Sequence, residues 1–319
     1  MKSVEELKKL YETELKPQLS ELEKKRKTIK KFSWWGSSLA IFAFLFIRLI
    51  PNQTILIIVS VLAVIAVFYL LIKAGALYVG YRKEYKKEVV EKIIKLINPD
   101  FHYNPDKHID CRYFIGSKLF SHKPDRCSGD DFISGTIEKT DFEFSELHTE
   151  YKTTSTSDGK TETTWHDIFS GLFFHADFNK HIEGTTFVLP DVAEKLLGKF
   201  GQKFQKASSR GQLVKLENPE FEKKFVVYST GQQEARYILT PVMMEAMVNL
   251  QNRYNRKMHF SFTGERVYCA ISFKKNLFEP RIRKTLINFN DIEEMYHLFG
   301  LIEIIITEMN LNTRIWTKQ

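Results

Sequence analysis

The chain has 319 residues, is 43% hydrophobic and carries a net charge of +8. Its length allows one or two domains. Its charge invites a nucleic-acid reading, but residues 1–31 and 73–95 carry +4 each and Arg48 adds +1, which leaves −1 for residues 96–319. A duplex binder needs a basic face on its folded domain, so nucleic acid is excluded as a partner. Three cysteines, Cys111, Cys127 and Cys269, fit no metal spacing and are expected as reduced structural thiols.

The first element is an amphipathic helix over residues 4–29. Val4, Leu7, Tyr11, Leu15, Leu19, Leu22 and Ile29 form its apolar stripe, and Pro17 is expected to kink or break it. An apolar stretch from Phe32 to Ile72 follows, with Arg48 as its only charge. Pro51-Asn52-Gln53-Thr54 divides it into two runs, which predicts a transmembrane hairpin. Trp34, Trp35, Tyr78 and Tyr81 suit the interfacial belt, and Arg48 can snorkel from the far end. Lysines crowd both outer flanks, at Lys24, Lys25, Lys27, Lys30 and Lys31 and again at Lys73, Lys83, Lys86 and Lys87. The positive-inside rule therefore places both termini in the cytoplasm. No cleavable signal is apparent, because the N-terminus is a long charged helix.

Beyond the hairpin, Val90, Ile93, Ile94 and Ile97 make a second stripe that stops at Asn98-Pro99. Two stripes leaving a membrane side by side predict an antiparallel helical pair; the alternative is that either helix lies on the head groups. The domain organisation is thus a cytoplasmic helix (1–31), a hairpin (32–72), a helical stalk (73–98) and a cytoplasmic domain (99–319).

That last domain reads as α+β with a mainly antiparallel sheet. Strands are predicted over 131–139 and 140–152, where Phe142 and Phe144 alternate with polar residues. A polar turn at 153–161 leads to a long strand over 163–178, bulged at Gly171. A helix is predicted over 191–204, from Asp191 and Glu194 as a capping box. Strands follow at 212–216 and 224–228. A helix starts at Thr240-Pro241 with Met243, Met247, Leu250 and Tyr254 inward. Strands at 259–263 and 266–273 precede a last helix from Asn290, which is expected to be buried on more than one side. Residues 96–205 carry −6 and residues 206–284 carry +8. Mutual packing of the halves is the economical account; the other is a basic face toward a membrane.

The candidate polar site lies on one strand. His175, Asp177 and Asn179 share a face, with Lys180 beside them as a base for Asp177. A His and an Asp two apart can bind a metal or do acid–base work. The bland alternative, a polar strand face, is preferred, because a catalytic constellation also needs an orienting partner and a pocket. Phe173 shares the face and would crowd a metal. Glu146, His148 and Glu150 alternate on another strand and read as solvated. Gly129-Asp130-Asp131 reads as a turn before a strand. Met243, Met244 and Met247 read as core rather than as a partner-binding patch. No phosphate loop, dinucleotide fingerprint, zinc-protease helix, nucleophile elbow or paired CxxC is present, so no cofactor is assigned.

The run Gly171-Leu-Phe-Phe-His-Ala-Asp-Phe-Asn-Lys180, followed by Gly184-Thr-Thr-Phe-Val-Leu-Pro-Asp191, resembles a bacterial membrane-protein family called domain of unknown function 3137. Pro219–Lys223, Phe225–Tyr228 and Glu234–Pro241 extend the resemblance. It implies the bacterial cytoplasmic membrane but no activity, ligand or catalytic residue. Members occur beside membrane proteins of the LemA family, which implies a LemA-like protein partner in a shared assembly. The sequence therefore predicts a non-enzymatic binding or scaffold protein anchored in the lipid bilayer. The alternatives are a membrane-tethered enzyme built on His175 and Asp177, with or without a metal, and a lipid-sensing module that uses the basic half.

Overall fold

The computed structural model describes residues 3–46, 51–157, 160–191, 210–273 and 276–313, with backbone alone at 178–180, 302 and 308–313. Two compact units emerge. One is helical and comprises residues 2–97 and 277–296; the other comprises 98–276 and 297–319 and holds the sheet.

In the helical unit, α1 (Val4–Leu10) begins at a capping box. Ser3 Oγ accepts from the Glu6 amide at 3.2 Å, and the Glu6 carboxylate accepts from the Ser3 amide at 3.0 Å. Two amides that helix geometry leaves without partners are thereby satisfied. One π turn, Tyr11–Leu15, joins α1 to α2 (Lys16–Phe46). The expected break at Pro17 does not occur. The helix runs on through Pro17, and the widened π turn, with its longer hydrogen-bond reach, ends just before it. Asn52 then caps α3 (Gln53–Tyr85), its Oδ1 accepting from the Thr54 and Ile55 amides. A second π turn, Lys86–Val90, leads into α4 (Glu91–Ile97).

The two stripes face each other. Leu7, Leu15, Leu19, Leu22 and Ile29 are buried, as are Tyr85, Val89, Val90, Ile93 and Ile94. Gln18 Nε2 donates to Glu88 at 3.1 Å, and Lys25 pairs with Glu84, so the helices are paired as the stripes predict. Residues 277–296 return to this pair. Glu279 accepts from Arg82 Nε at 2.6 Å and lies 3.0 Å from the ammonium of Lys86, which is 2% exposed.

One helix among the described residues, Gln53–Ile97, is long and apolar enough to cross a membrane; the most apolar part of it is unburied, with mean hydropathy 3.3. The expected two-helix transmembrane hairpin is therefore not shown. The first apolar run is helical through Phe46, but residues 47–50 lie outside those described, and a second qualifying span is not found among the described residues.

The sheet unit is α+β, and every strand pair is antiparallel. Its elements are β1 (His102–Asn104), α5 (Cys111–Gly116), β2 (Arg126–Ile137), β3 (Thr140–Ser157), β4 (Lys160–Pro190), β5 (Gln212–Val214), α6 (Pro219–Glu222), β6 (Phe225–Ser229), α7 (Gln232–Ile238), α8 (Pro241–Tyr254), β7 (Met258–Ser272) and, from residue 297 on, α9 (Phe289–Thr313). Among the described residues seven strands form one sheet in the order β1-β2-β3-β4-β6-β5, and β7 also pairs with β4. The predicted helix over 191–204 falls almost wholly outside the described residues. The polar turn expected at 153–161 is mostly strand, because threonine and serine pair well across strands; Thr156 and Thr161 are register partners.

The long strand β4 serves two limbs. Its first half pairs with β3 and with the end of β7; its second half pairs with β6 and with the start of β7. β7 is one strand where two were expected. It bends at Gly264, whose φ of +61° suits glycine, so that Lys257 O accepts from Ser272 N at 3.3 Å. The register of β4 shifts opposite, between Asp177 and Ile182. Folding both strands over encloses a core. Phe169 and Phe173 come from one limb and Phe187 and Leu189 from the other, with Phe114, Tyr268 and Ala270 between. The bulge expected at Gly171 lies a few residues earlier, where register shifts between Thr149 and Glu150. Gly129–Asp131 lies within β2 rather than in a turn before it, beside an irregularity between Asp130 and Ile133. Met243, Met244 and Met247 are buried, as core residues should be.

Candidate functional site

His175 stands on the first limb of β4, opposite Glu143 on β3. Its other neighbour in register is Tyr268 on β7. The residue is 2% exposed, because Tyr113 of α5 lies over the ring with centroids 4.0 Å apart. Two features hold α5 there. Phe114 packs into the core against Phe120 and Phe173, and Cys111 is joined to Cys127 of β2, with Cα atoms 6.2 Å apart. The reduced state expected for all three cysteines therefore holds only for Cys269, which is free and buried.

Both ring nitrogens of His175 are engaged. Arg266 donates to Nδ1 at 3.0 Å, and Nε2 lies 3.1 Å from Glu143 Oε2. A guanidinium can only donate, so Nδ1 is the acceptor and Nε2–H donates to the carboxylate. Burial holds the imidazole below its ordinary pKa, against the pull of Glu143. Arg266 also reaches Asp177 at 3.5 Å and lies over the Tyr113 ring at 4.9 Å. The result is a relay, Glu143–His175–Arg266–Asp177, on one sheet face.

Of the predicted site residues, His175 and Asp177 are thus brought together through a third group. Asp177 pairs with Arg266, its register partner. The side chains of Asn179 and Lys180 lie outside those described. Sequence reasoning had no means of finding Arg266, Glu143 or Tyr113, which are distant in the chain; the pairing register supplies them. Among the predicted membrane anchors, Trp34 and Trp35 are exposed and Tyr78 is half-buried. Tyr81 is instead buried, its hydroxyl donating to Arg281 O at 3.4 Å, and Arg48 lies outside the described residues.

A second cluster joins residues that the sequence reads as solvated. His148 and Glu150 of β3 and Asp167 of β4 place their ligand atoms within 4.8 Å of one another. His148 Nε2 lies 3.4 Å from Asp167 and 3.7 Å from Glu150. This donor set could take a divalent cation. Arg126 competes for it: its Nε donates to Glu150 at 2.8 Å and its guanidinium rests 4.2 Å over Trp165.

A third imidazole, His259 on β7, sits near Phe120, with its Nδ1 out of solvent and without a hydrogen bond. Burial pushes its pKa down to about 4, despite a hydrogen bond with the Ala270 backbone. The folded state thus keeps His259 neutral, while the unfolded chain takes up a proton near pH 6.5. The His259 contribution to stability should fall as pH drops from about 6.5 to about 4, by up to about 3 kcal/mol, and change no further below that. Urea midpoints across this range should show the slope in the native chain and a shallower one in His259→Gln.

Comparison with known proteins places the sheet unit in context. Residues 167–311 match the family described as protein of unknown function, DUF3137. The matched region starts within β4 and includes His175, Asp177 and Arg266, but not Tyr113 or Glu143. Among solved structures the chain is similar to the mycobacterial trehalose monomycolate transport factor A, TtfA, at 8% identity and a TM-score of 0.34, over 67% of this chain and 93% of that one. No curated protein matches.

Proposed function

We propose that this chain is a membrane-anchored binding or scaffold protein. On this reading two apolar helices form the membrane hairpin, the helical stalk continues from it, and the α+β domain meets a protein partner at the cytoplasmic face. The observation that carries it is the apolar surface of α3. Ile55, Ile57, Ile58, Leu62, Ile65 and Phe68 are all exposed, an arrangement water does not favour over so long a stretch. Ile41, Phe42, Phe44 and Leu45 of α2 are exposed too, which supports the second arm of the hairpin. Lysines on both outer flanks support a cytoplasmic placement for both termini. Enzymatic use of His175 is less favoured, since Arg266 and Glu143 occupy both its nitrogens.

The Cys111–Cys127 bond favours a second reading, because disulfides persist in oxidising compartments. On that reading the sheet unit faces away from the cytoplasm. Reporter fusions after residues 1 and 319 separate the two. Cytoplasmic signal from both, with the chain retained in membranes after alkaline extraction, is the expected result. An extracytoplasmic signal at residue 319 would support the second reading, and release by alkali would end both.

A further inference from the structure

The sheet unit holds a cavity of about 370 Å³ that is lined in part by core residues. One wall is aromatic. Phe114 and Phe120 stack with centroids 5.0 Å apart, and Phe187 also lines the cavity; Phe114 and Phe187 are core residues with only their edges accessible, and Phe120 is half-buried. The rim is cationic: Lys118, Lys123 and Arg210 line it with His122, and none of the described lining residues is acidic. Lys118 follows α5 at a left-handed backbone position, φ +55°. Arg210 is half-buried. Its Nη2 donates to Leu119 O at 2.9 Å and its guanidinium lies 5.8 Å from the Phe187 ring, but it meets no carboxylate among the described residues.

Three permanent cations at one cavity repel one another and cost stability unless they serve something. Surface lysines alone would mean little, since solvent screens them. Arg210 is different, because burial acts against its charge and one backbone carbonyl offsets only part of that cost. An anion in the cavity would supply the missing counter-charge, and the fork of a guanidinium matches a phosphate. The phenylalanines would hold an apolar or planar group attached to that anion.

We propose that this cavity binds a phosphate ester with an apolar body, its phosphate on Arg210, Lys118 and Lys123 and its body against Phe114, Phe120 and Phe187. The inference goes beyond the membrane-anchor reading and does not depend on it. Calorimetry on the ligand and reporter fusions on topology can fail separately. The ester could be a soluble metabolite or the head of a membrane lipid, and the test distinguishes them.

The full chain in neutral detergent is titrated with 1-naphthyl phosphate, 1-naphthol and inorganic phosphate. Naphthyl phosphate is expected to bind at least about tenfold more tightly than either fragment, since each lacks one half of the recognition. Arg210→Gln should weaken it about tenfold. Lys118→Asn with Lys123→Gln should weaken it by a similar factor; both lysines are exposed, and asparagine tolerates the left-handed backbone, so this variant keeps the fold if Arg210→Gln does not. Dihexanoyl phosphatidic acid then competes. Displacement of naphthyl phosphate points to a lipid head group, and no displacement to a soluble ester. Absence of naphthyl phosphate binding, equal binding of naphthol, or affinity unchanged in a folded double-lysine variant would overturn the proposal.

Discussion

Replacing Phe173 with alanine should cost the sheet unit about 3–5 kcal/mol, the range for a fully buried phenylalanine. Phe173 is 0% exposed and lies where the two limbs of the folded sheet meet. Its ring contacts Phe114 at 5.4 Å, Phe169 at 6.5 Å and Tyr268 at 6.3 Å. Those partners come from α5, β4 and β7. No small shift of one element can fill the hole, because α5 is tied at Cys111 and the strands are locked in register. Phe173→Leu keeps most of the volume and should cost only about 1–1.5 kcal/mol. Urea midpoints followed by near-ultraviolet circular dichroism would measure both. A Phe173→Ala loss below about 1 kcal/mol would mean that the limbs do not close on one core.

Local patterns in the sequence carried much of this fold. Phe142 and Phe144 alternate with polar residues, and both are buried in β3. Thr240 caps α8, its Oγ1 accepting from the Met243 amide, as Thr-Pro predicts. The last helix starts one residue before Asn290. The stalk stripes were legible because helical periodicity is a local property and each stripe needs a partner.

What escaped the sequence is non-local. A bend within a strand looks like two strands, because Gly264-Glu265 reads as a turn and nothing nearby states that β4 bends opposite it. The three-residue β1 and the short helices α5, α6 and α7 are too brief for periodicity to register. The sequence shows the His175 face as a row of polar groups, yet its meaning depends on Arg266, which register alone brings to it. His148 and Glu150 looked solvated because Asp167 lies on the next strand. The aromatic and cationic cavity left no trace either. Its lysines follow α5, its arginine precedes β5, and Phe187 is on β4, so no window of sequence contains them together.

Removing the carboxylate of Glu23 should destabilise the helical unit by about 3–5 kcal/mol, more than any exposed ion pair of this chain would. Glu23 and Arg26 stand one turn apart on α2, and their side chains are only about a tenth exposed. Two parallel bonds join them, at 2.8 Å and 2.6 Å. Each partner also grips the returning segment 277–296. Arg26 Nη1 donates to Ile282 O at 2.6 Å, and Glu23 Oε2 accepts from the Leu286 amide at 3.2 Å. Glu23→Ala therefore leaves a buried guanidinium with one carbonyl and a buried amide with no acceptor, and both costs add to the lost pair. Glu23→Leu combined with Arg26→Met should recover most of the loss, because an apolar pair of similar volume avoids desolvating two charges. Acid should act like the single substitution. The Arg26 hydrogen bond holds the Glu23 carboxyl below its ordinary value, so the pair contributes fully above about pH 4.3 and loses its contribution as pH falls through the lower, folded value. Hydrogen exchange at Leu286 reads this directly. Its amide should exchange faster in Glu23→Ala at neutral pH. Unchanged protection there would mean that the buried pair does not hold the returning segment.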